Sequence, residues 1–350
     1  MEGLFYERQL KRLVHEMSDE IGLVQHSKGS MPDPLNHGYS VDDVARGLVV
    51  LTRVYPRFND SEVHRNYLEY IKNAQKNDGM FHNFYERKKG KWGWRDEGTN
   101  TSQDCFGRVM WALAEFTGSQ YPGNEKREAG KIFLEHLDFI EDLENNASKA
   151  FTLLGLSGYV LRTGNRDVMG LVKNLTEDLA EKFHENRDDG EGWMWFSDKM
   201  TYCNPKLPHP MISAGYALKN KKILDIGKNS LDFLISKSFD ELGIFHAIGN
   251  NGWYPKSGEP AKYDQQTVEA GDMVEACVDA FKILGHERYK EHAKKAFAWF
   301  KGKNIAGENM LDPVTGGVYD AIAENGINTN QGAESILSYL LAATKLEEIE

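Results

Sequence analysis

Five stretches of this sequence set carboxylates beside aromatic rings and amides. The first runs from His37 through Tyr39 to Asp42 and Asp43. The second holds Trp92, Trp94, Arg95, Asp96 and Glu97 and continues to Asp104 and Arg108. Farther on come Trp193, Trp195, Tyr202 and Asn204, then Trp253, Tyr263, Asp264, Gln265, Gln266 and Glu269, and last Asn330, Gln331 and Glu334. Pooled in one pocket, such residues suit a saccharide: rings stack on the CH faces of a sugar, while acids, amides and arginines bind its hydroxyls. Breaking a glycosidic bond takes one carboxylic acid to protonate the leaving oxygen and a second carboxylate to activate water or attack the anomeric carbon. Asp43, Asp104, Asp264 and Asp96 are the candidates for that pair, and which of them is acid and which base stays open.

Each of these residues also has a plainer use. An aspartate at a helix start is a good N-cap, and Asp42 and Asp43 point about 100° apart on a helix, so one can cap while the other, Asp43, faces a cavity. Trp111 and Trp299 fall inside helices and read as core, whereas the other five of the seven tryptophans lie in long loops and read as ligand contacts. A different chemistry, 2-epimerisation of a sugar, would instead use imidazoles as proton-transfer groups, and His37, His82, His209 and His246 keep it open. A third reading keeps the rings without catalysis, in a glycan-binding partner of a glycosyltransferase.

Residues spread over most of the chain meet only if the elements carrying them converge. Apolar residues recurring at three and four positions mark twelve helices, roughly 3–25, 40–55, 59–76, 101–117, 124–143, 147–163, 166–187, 208–219, 221–237, 264–284, 287–302 and 330–345. No alternating run argues convincingly for strands. Alternate joints are short turns near Pro56, Pro122, Gly164, Lys221 and Gly285, while most of the others are long, as at 77–100, 188–207, 238–263 and 303–329. In an up-and-down ring the long joints must emerge on one side. Helices after them carry small and apolar residues, as in ARGLVVL and SAGYAL, and their partners carry a charged stripe. This pattern predicts an all-α (α/α)6 toroid of six helical hairpins, residues 1–350 forming a single domain, with the acidic and aromatic phrases around one mouth.

Composition narrows the partners. A net charge of −11 without a basic run opposes nucleic-acid binding. No run of about 18 apolar residues argues for membrane insertion, and the amphipathic start lacks a leader's apolar core, so a cytoplasmic location is expected. Cys105, Cys203 and Cys277 lack metal-ligand spacing. Nucleotide-binding and zinc-protease motifs are absent, so no cofactor and no metal are expected.

At HGYSVDDVARGL, DGMFHNF, SQDCFGRVMWAL, YDQQTVEA and NTNQGAESILSYLLA the sequence resembles a prokaryotic family of six-hairpin glycosidase-like proteins, found alone or joined to glycosyltransferase modules. The resemblance runs from about residue 36 to 343. It implies the toroid and a role in glycan metabolism, with an oligosaccharide as substrate and a glycosyltransferase as a conceivable partner. The chain also looks like more distant toroids of two kinds. Unsaturated glucuronyl hydrolases and inverting helical-barrel glycosidases use cavity carboxylates, whereas acylglucosamine and cellobiose 2-epimerases use histidines.

Overall fold

The computed structural model of the chain describes residues 6–95 and 99–350. Asp96 and Glu97 lie outside the described residues. In chain order the helices are α1 (Glu7–His15), a single turn α2 (Pro34–His37), α3 (Val41–Val54), α4 (Ser61–Asn73), α5 (Thr99–Thr117), α6 (Asn124–Glu135), α7 (Asn146–Thr163), α8 (Met169–Asn186), α9 (Pro208–Ala217), α10 (Lys221–Ser238), α11 (Thr267–Leu284), α12 (Glu287–Ala298) and α13 (Ala333–Leu346).

Helices α3, α5, α7, α9, α11 and α13 pack side by side in that order, and α13 closes on α3. The outer helices α4, α6, α8, α10 and α12 each lie against the inner helix that precedes them, and α1 lies against α13. Sequence pattern explains the division. Inner α3 is buried on nearly every side, from Val41 through Val54, whereas outer α4 buries a stripe that includes Val63, Tyr67 and Ile71 and leaves Glu62, Arg65, Glu69 and Lys72 in water. Close inner crossings need glycine. A Cβ on Gly107 of α5 would stand 2.6 Å from the Ser148 carbonyl of α7, and one on Gly271 of α11 would stand 2.6 Å from the Ser338 carbonyl of α13.

The six hairpins follow the sequence expectation; the first helix and the loops do not. A helix expected over 3–25 stops at His15. Asp19 accepts hydrogen bonds from the Ile21 and Gly22 amides, a local turn that outcompetes the helix. The expected 124–143 helix also breaks, with α6 giving way to a 3₁₀ segment at Leu137–Asp142. Short strands, absent from the sequence reading, tie the long loops together: β1 (Ser27–Lys28), β2 (Met31–Pro32), β3 (Tyr39–Ser40), β4 (Phe84–Lys88), β5 (Lys91–Trp94), β6 (Lys199–Met200), β7 (Tyr254–Pro255), β8 (Gln265–Gln266), β9 (Ala321–Ala323) and β10 (Gly326–Asn328). They form antiparallel sheets β1-β2, β3-β4-β5, β6-β7 and β10-β9-β8. Most are two or three residues long, too short for a period of two to stand out in the sequence. Among the described residues no helix is long and apolar enough to cross a membrane.

Candidate functional site

Two cavities open at the end of the ring where inner helices begin. One of about 430 Å³ is walled by Asp42, Asp43 and Arg46 of α3, by Glu334 and Ser335 of α13, and by His26, Phe84, Asp264, Gln266 and Asp320 from the loops. The other, about 800 Å³, is walled by Asp104 of α5, by Asn145 and Asn146 before and at the start of α7, and by Asn83, Thr201, Tyr202 and Cys203. Asp42 and Phe84 belong to both walls, so the two spaces adjoin.

The aspartate pair owes its freedom to neighbours that take over helix capping. Ser40, not an aspartate, is the N-cap of α3, its hydroxyl accepting from the Asp43 amide at 3.4 Å. The Asn83 carboxamide oxygen accepts from the Asp42 amide at 3.1 Å, and its Nδ2 donates to Asp42 Oδ2 at 2.9 Å. Both carboxylates are thus left for arginines. Arg46 Nη1 lies 3.4 Å from Asp43 Oδ1 and its Nη2 lies 3.2 Å from Glu334 Oε2, so one guanidinium links α3 to α13. Arg108, fully buried over the Phe151 ring at 4.5 Å, pairs with Asp104 one turn back on α5 and with Asp42 at 3.4 Å. The Tyr202 hydroxyl accepts from Arg46 at 3.0 Å and Arg108 at 3.3 Å and donates to Glu334 at 2.7 Å.

Four carboxylates therefore share two guanidiniums. Burial pushes the Asp43 carboxyl up to about 7; Arg46 opposes that rise, while Glu334 and Asp42 add to it. Asp42 moves up for the same first reason, against Arg108. Arg46 and Arg108 pay a desolvation cost but are held more firmly charged by the acids around them. Beneath the cluster, burial and Asp272 drive Glu269 up to about 8 although Asn204 donates to it from both its backbone amide and its side chain.

Of the residues singled out from sequence, Asp42, Asp43, Asp264, Gln266 and Glu334 meet in the first cavity, and Asp42, Asp104 and Tyr202 meet in the second. Asp104 is not a cap, because α5 begins at Thr99. Asp264 has a φ of 58°, a left-handed conformation that costs energy and tends to persist where function requires it. Asn204 and Glu269 lie buried below, bonded to each other.

The tryptophans go elsewhere. Trp195 is fully buried and Trp193 nearly so, its ring edge-on to Phe233 and Tyr254, which makes both of them core residues rather than cavity rings. Trp92 stacks on Tyr85, and Trp94 stacks on His82 outside the mouth. Trp253, half-buried with a φ of 61°, and Tyr263, whose ring faces Lys262, line neither cavity. Arg95 covers the Phe84 ring at 3.9 Å. Tyr39 bonds Asp19, Gln265 receives the Trp299 indole, Gln331 bonds Asp312, and Asn330 bonds Asp320; these four brace the loops.

The four histidines considered for proton transfer also stand off. His37 is exposed, His82 is stacked on Trp94, His209 pairs with Asp279, and His246 pairs with Asp240. His26 lines the first cavity instead, with burial pushing its pKa down. Apolar spacing, which predicts a helix to residue 25, carries no signal for it. Arg46, Asn83 and Phe84 were overlooked too, although all three lie within the phrases DDVARG and FHNF, and Arg46 sits one turn beyond Asp43. Among the described residues no group of three acids, histidines or cysteines is placed to hold a metal ion.

No protein-family model matches the chain, and no curated protein is similar to it at a significant level. Solved structures are similar in fold. D-mannose isomerase superposes with a TM-score of 0.71 at 13% identity, over 99% of this chain and 96% of that one. Cellobiose 2-epimerase from Spirochaeta thermophila gives 0.67 at 12%, over 98% and 97%. An inactive variant of the alpha-1,6-mannanase of Salegentibacter, a family 76 glycoside hydrolase with two consecutive aspartates replaced by alanine, gives 0.65 at 11%, over 99% and 98%, in complex with alpha-1,6-mannotetrose. The fold of this chain is therefore an (α/α)6 toroid, the fold it shares with these isomerase, epimerase and glycoside hydrolase structures.

Proposed function

We propose that the mouth cleaves a glycosidic bond in a neutral oligosaccharide, with Asp43 as the proton donor and Glu334 as the base that activates water. The observation that carries this reading is the burial of Asp43 among other carboxylates, which pushes its carboxyl up to about 7 against the opposing Arg46, with Glu334 and Asp42 adding to the rise. Asp43 and Glu334 face each other across the two ends of the Arg46 guanidinium. In this reading Asp42, fixed by Asn83 and Arg108, and Asp264, on the same cavity wall, bind hydroxyls. The mannanase whose inactive variant lacks two consecutive aspartates supports a working role for the adjacent pair here.

One observation favours a second reading, 2-epimerisation. His26 sits on the cavity wall with its pKa lowered, so it is a neutral base at physiological pH, suited to removing a proton beside a sugar carbonyl. Incubation with a panel of neutral oligosaccharides separates the readings. Cleavage gives new reducing ends that vanish in Asp43→Asn; epimerisation gives an isomer of unchanged mass that vanishes in His26→Ala. A protein that binds the panel but changes nothing would instead fit a binding partner of a glycosyltransferase.

A further inference from the structure

The hairpin β4–β5 has two faces, and only one borders the mouth. Residues alternate across a strand, so Phe84 points into the catalytic cavity while its neighbour Tyr85 points away from it. Tyr85 pairs across the hairpin with Trp94, which places the two rings on the same outward face. There they wall a separate cavity of about 450 Å³, closed on its other side by Tyr70, Asn66, Asn73 and Glu69 of α4 and by Glu20. We propose that this outer cavity is a second saccharide-binding site, taking one or two neutral hexose units.

The chemistry is that of a sugar platform. Trp94 is half-exposed, and His82 stacks behind it at 5.6 Å and 13°, so the indole is held rigid. Tyr85 is braced in the same way by Trp92 at 5.7 Å and 14°. Tyr70, tilted against Trp94 at 5.2 Å, completes an aromatic corner. Rings fixed before binding lose little freedom when a CH face stacks on them. Around the corner stand two amides and two carboxylates, groups that accept from and donate to hydroxyls. No lysine, arginine or histidine lines the cavity among the described residues, which disfavours phosphates and uronates and selects a neutral ligand. The same hairpin thus walls two sugar-sized spaces back to back, placing a glycan held outside one strand-width from the mouth. The ligand class rests on the carbohydrate reading above; the site itself does not rest on turnover.

The test is NMR of protein labelled with ¹⁵N in its tryptophan indoles, titrated with mannotriose, cellotriose and a trigalacturonate. The neutral trisaccharides are expected to move the Trp94 signal, in wild type and in Asp43→Asn alike, and the uronate to leave it in place. Trp94→Ala is expected to weaken trisaccharide binding at this cavity roughly tenfold. Asn73→Ala, on α4 across the cavity from the hairpin, should weaken it in the same direction without altering a residue of the sheet. A Trp94 signal unmoved by either neutral sugar, or moved equally by the uronate, overturns the proposal. If Trp94 responds while no sugar in the panel is turned over, the outer site stands and the catalytic reading fails.

Discussion

Two buried charge clusters lie along the centre of this ring, and they treat their carboxylates in opposite ways. At the mouth Asp42, Asp43, Asp104 and Glu334 share Arg46 and Arg108. Deeper, Asp272, Glu275 and Glu115 share Lys206, Arg53 and Arg162, with Lys206 at 2.5 Å from Glu275 and Arg53 at 2.6 Å from Glu275 and 2.9 Å from Glu115. Burial pushes upward the carboxyls of Asp42 and Asp43 at the mouth and of Asp272, Glu275 and Glu115 below. In the deep cluster the cations overcome it, holding Glu115 down to about 2 and Glu275 far below its ordinary range. At the mouth they do not, and Asp43 rises to about 7. Asp272, which faces Glu269 as well as Lys206, marks the border and is still pushed up by burial. Charge balance therefore decides whether a buried acid stays ionised or keeps its proton toward neutrality.

The contrast breaks most sharply at Asp43. Asp43→Asn should lower turnover roughly 10²–10⁴-fold while leaving the urea midpoint near that of wild type, because the amide keeps the shape and removes only the proton. The deep cluster should respond the other way round. Lys206→Met strips the cation from Asp272 and Glu275 and is expected to cost about 3–5 kcal/mol in urea denaturation.

Stability against pH should show both clusters at once. Glu115 has a folded pKa below its unfolded one, so its contribution, on the order of 3 kcal/mol, is present above about pH 4.5 and lost as pH falls toward 2. Asp43 and Glu269 have raised values, so theirs is present in acid and lost as pH rises through about 7 and about 8. Denaturation midpoints should peak at about pH 4–5, where the first contribution is complete and the second has only begun to fall. A curve that climbs steadily to pH 9 would contradict the account of the mouth. The smallest effect is one of packing: Gly107→Ala should destabilise by roughly 1–3 kcal/mol, since its methyl group meets the backbone of α7.

Much of this arrangement is legible in the sequence because it rests on period and loop length. The alternation of small-residue helices such as ARGLVVL with charged ones such as ERYKEHAKKAFAWF yields six hairpins, and long joints on one side bring Asp42, Asp43, Asp104, Asp264 and Glu334 toward common cavities. What was not legible depends on partners distant in sequence. Whether Trp193 faces solvent or Phe233 is decided by a neighbour 40 positions on, and loop position alone says nothing of it. Nor does the local sequence reveal that Ser40 and Asn83 take over capping and free both aspartates, since Asn83 arrives just ahead of β4, the strand paired with β3. His26 was hidden by an Asx turn at Asp19, whose side chain ended a helix that apolar spacing alone would have continued.

Burial that the surrounding arginines do not offset, with Glu334 and Asp42 adding to it, keeps a proton on Asp43 near neutrality. Titration of the Asp43 carboxyl by ¹³C NMR, assigned by its loss in Asp43→Asn, measures this directly. The account predicts a midpoint near pH 7. A midpoint close to the ordinary aspartate value of about 4 would contradict it.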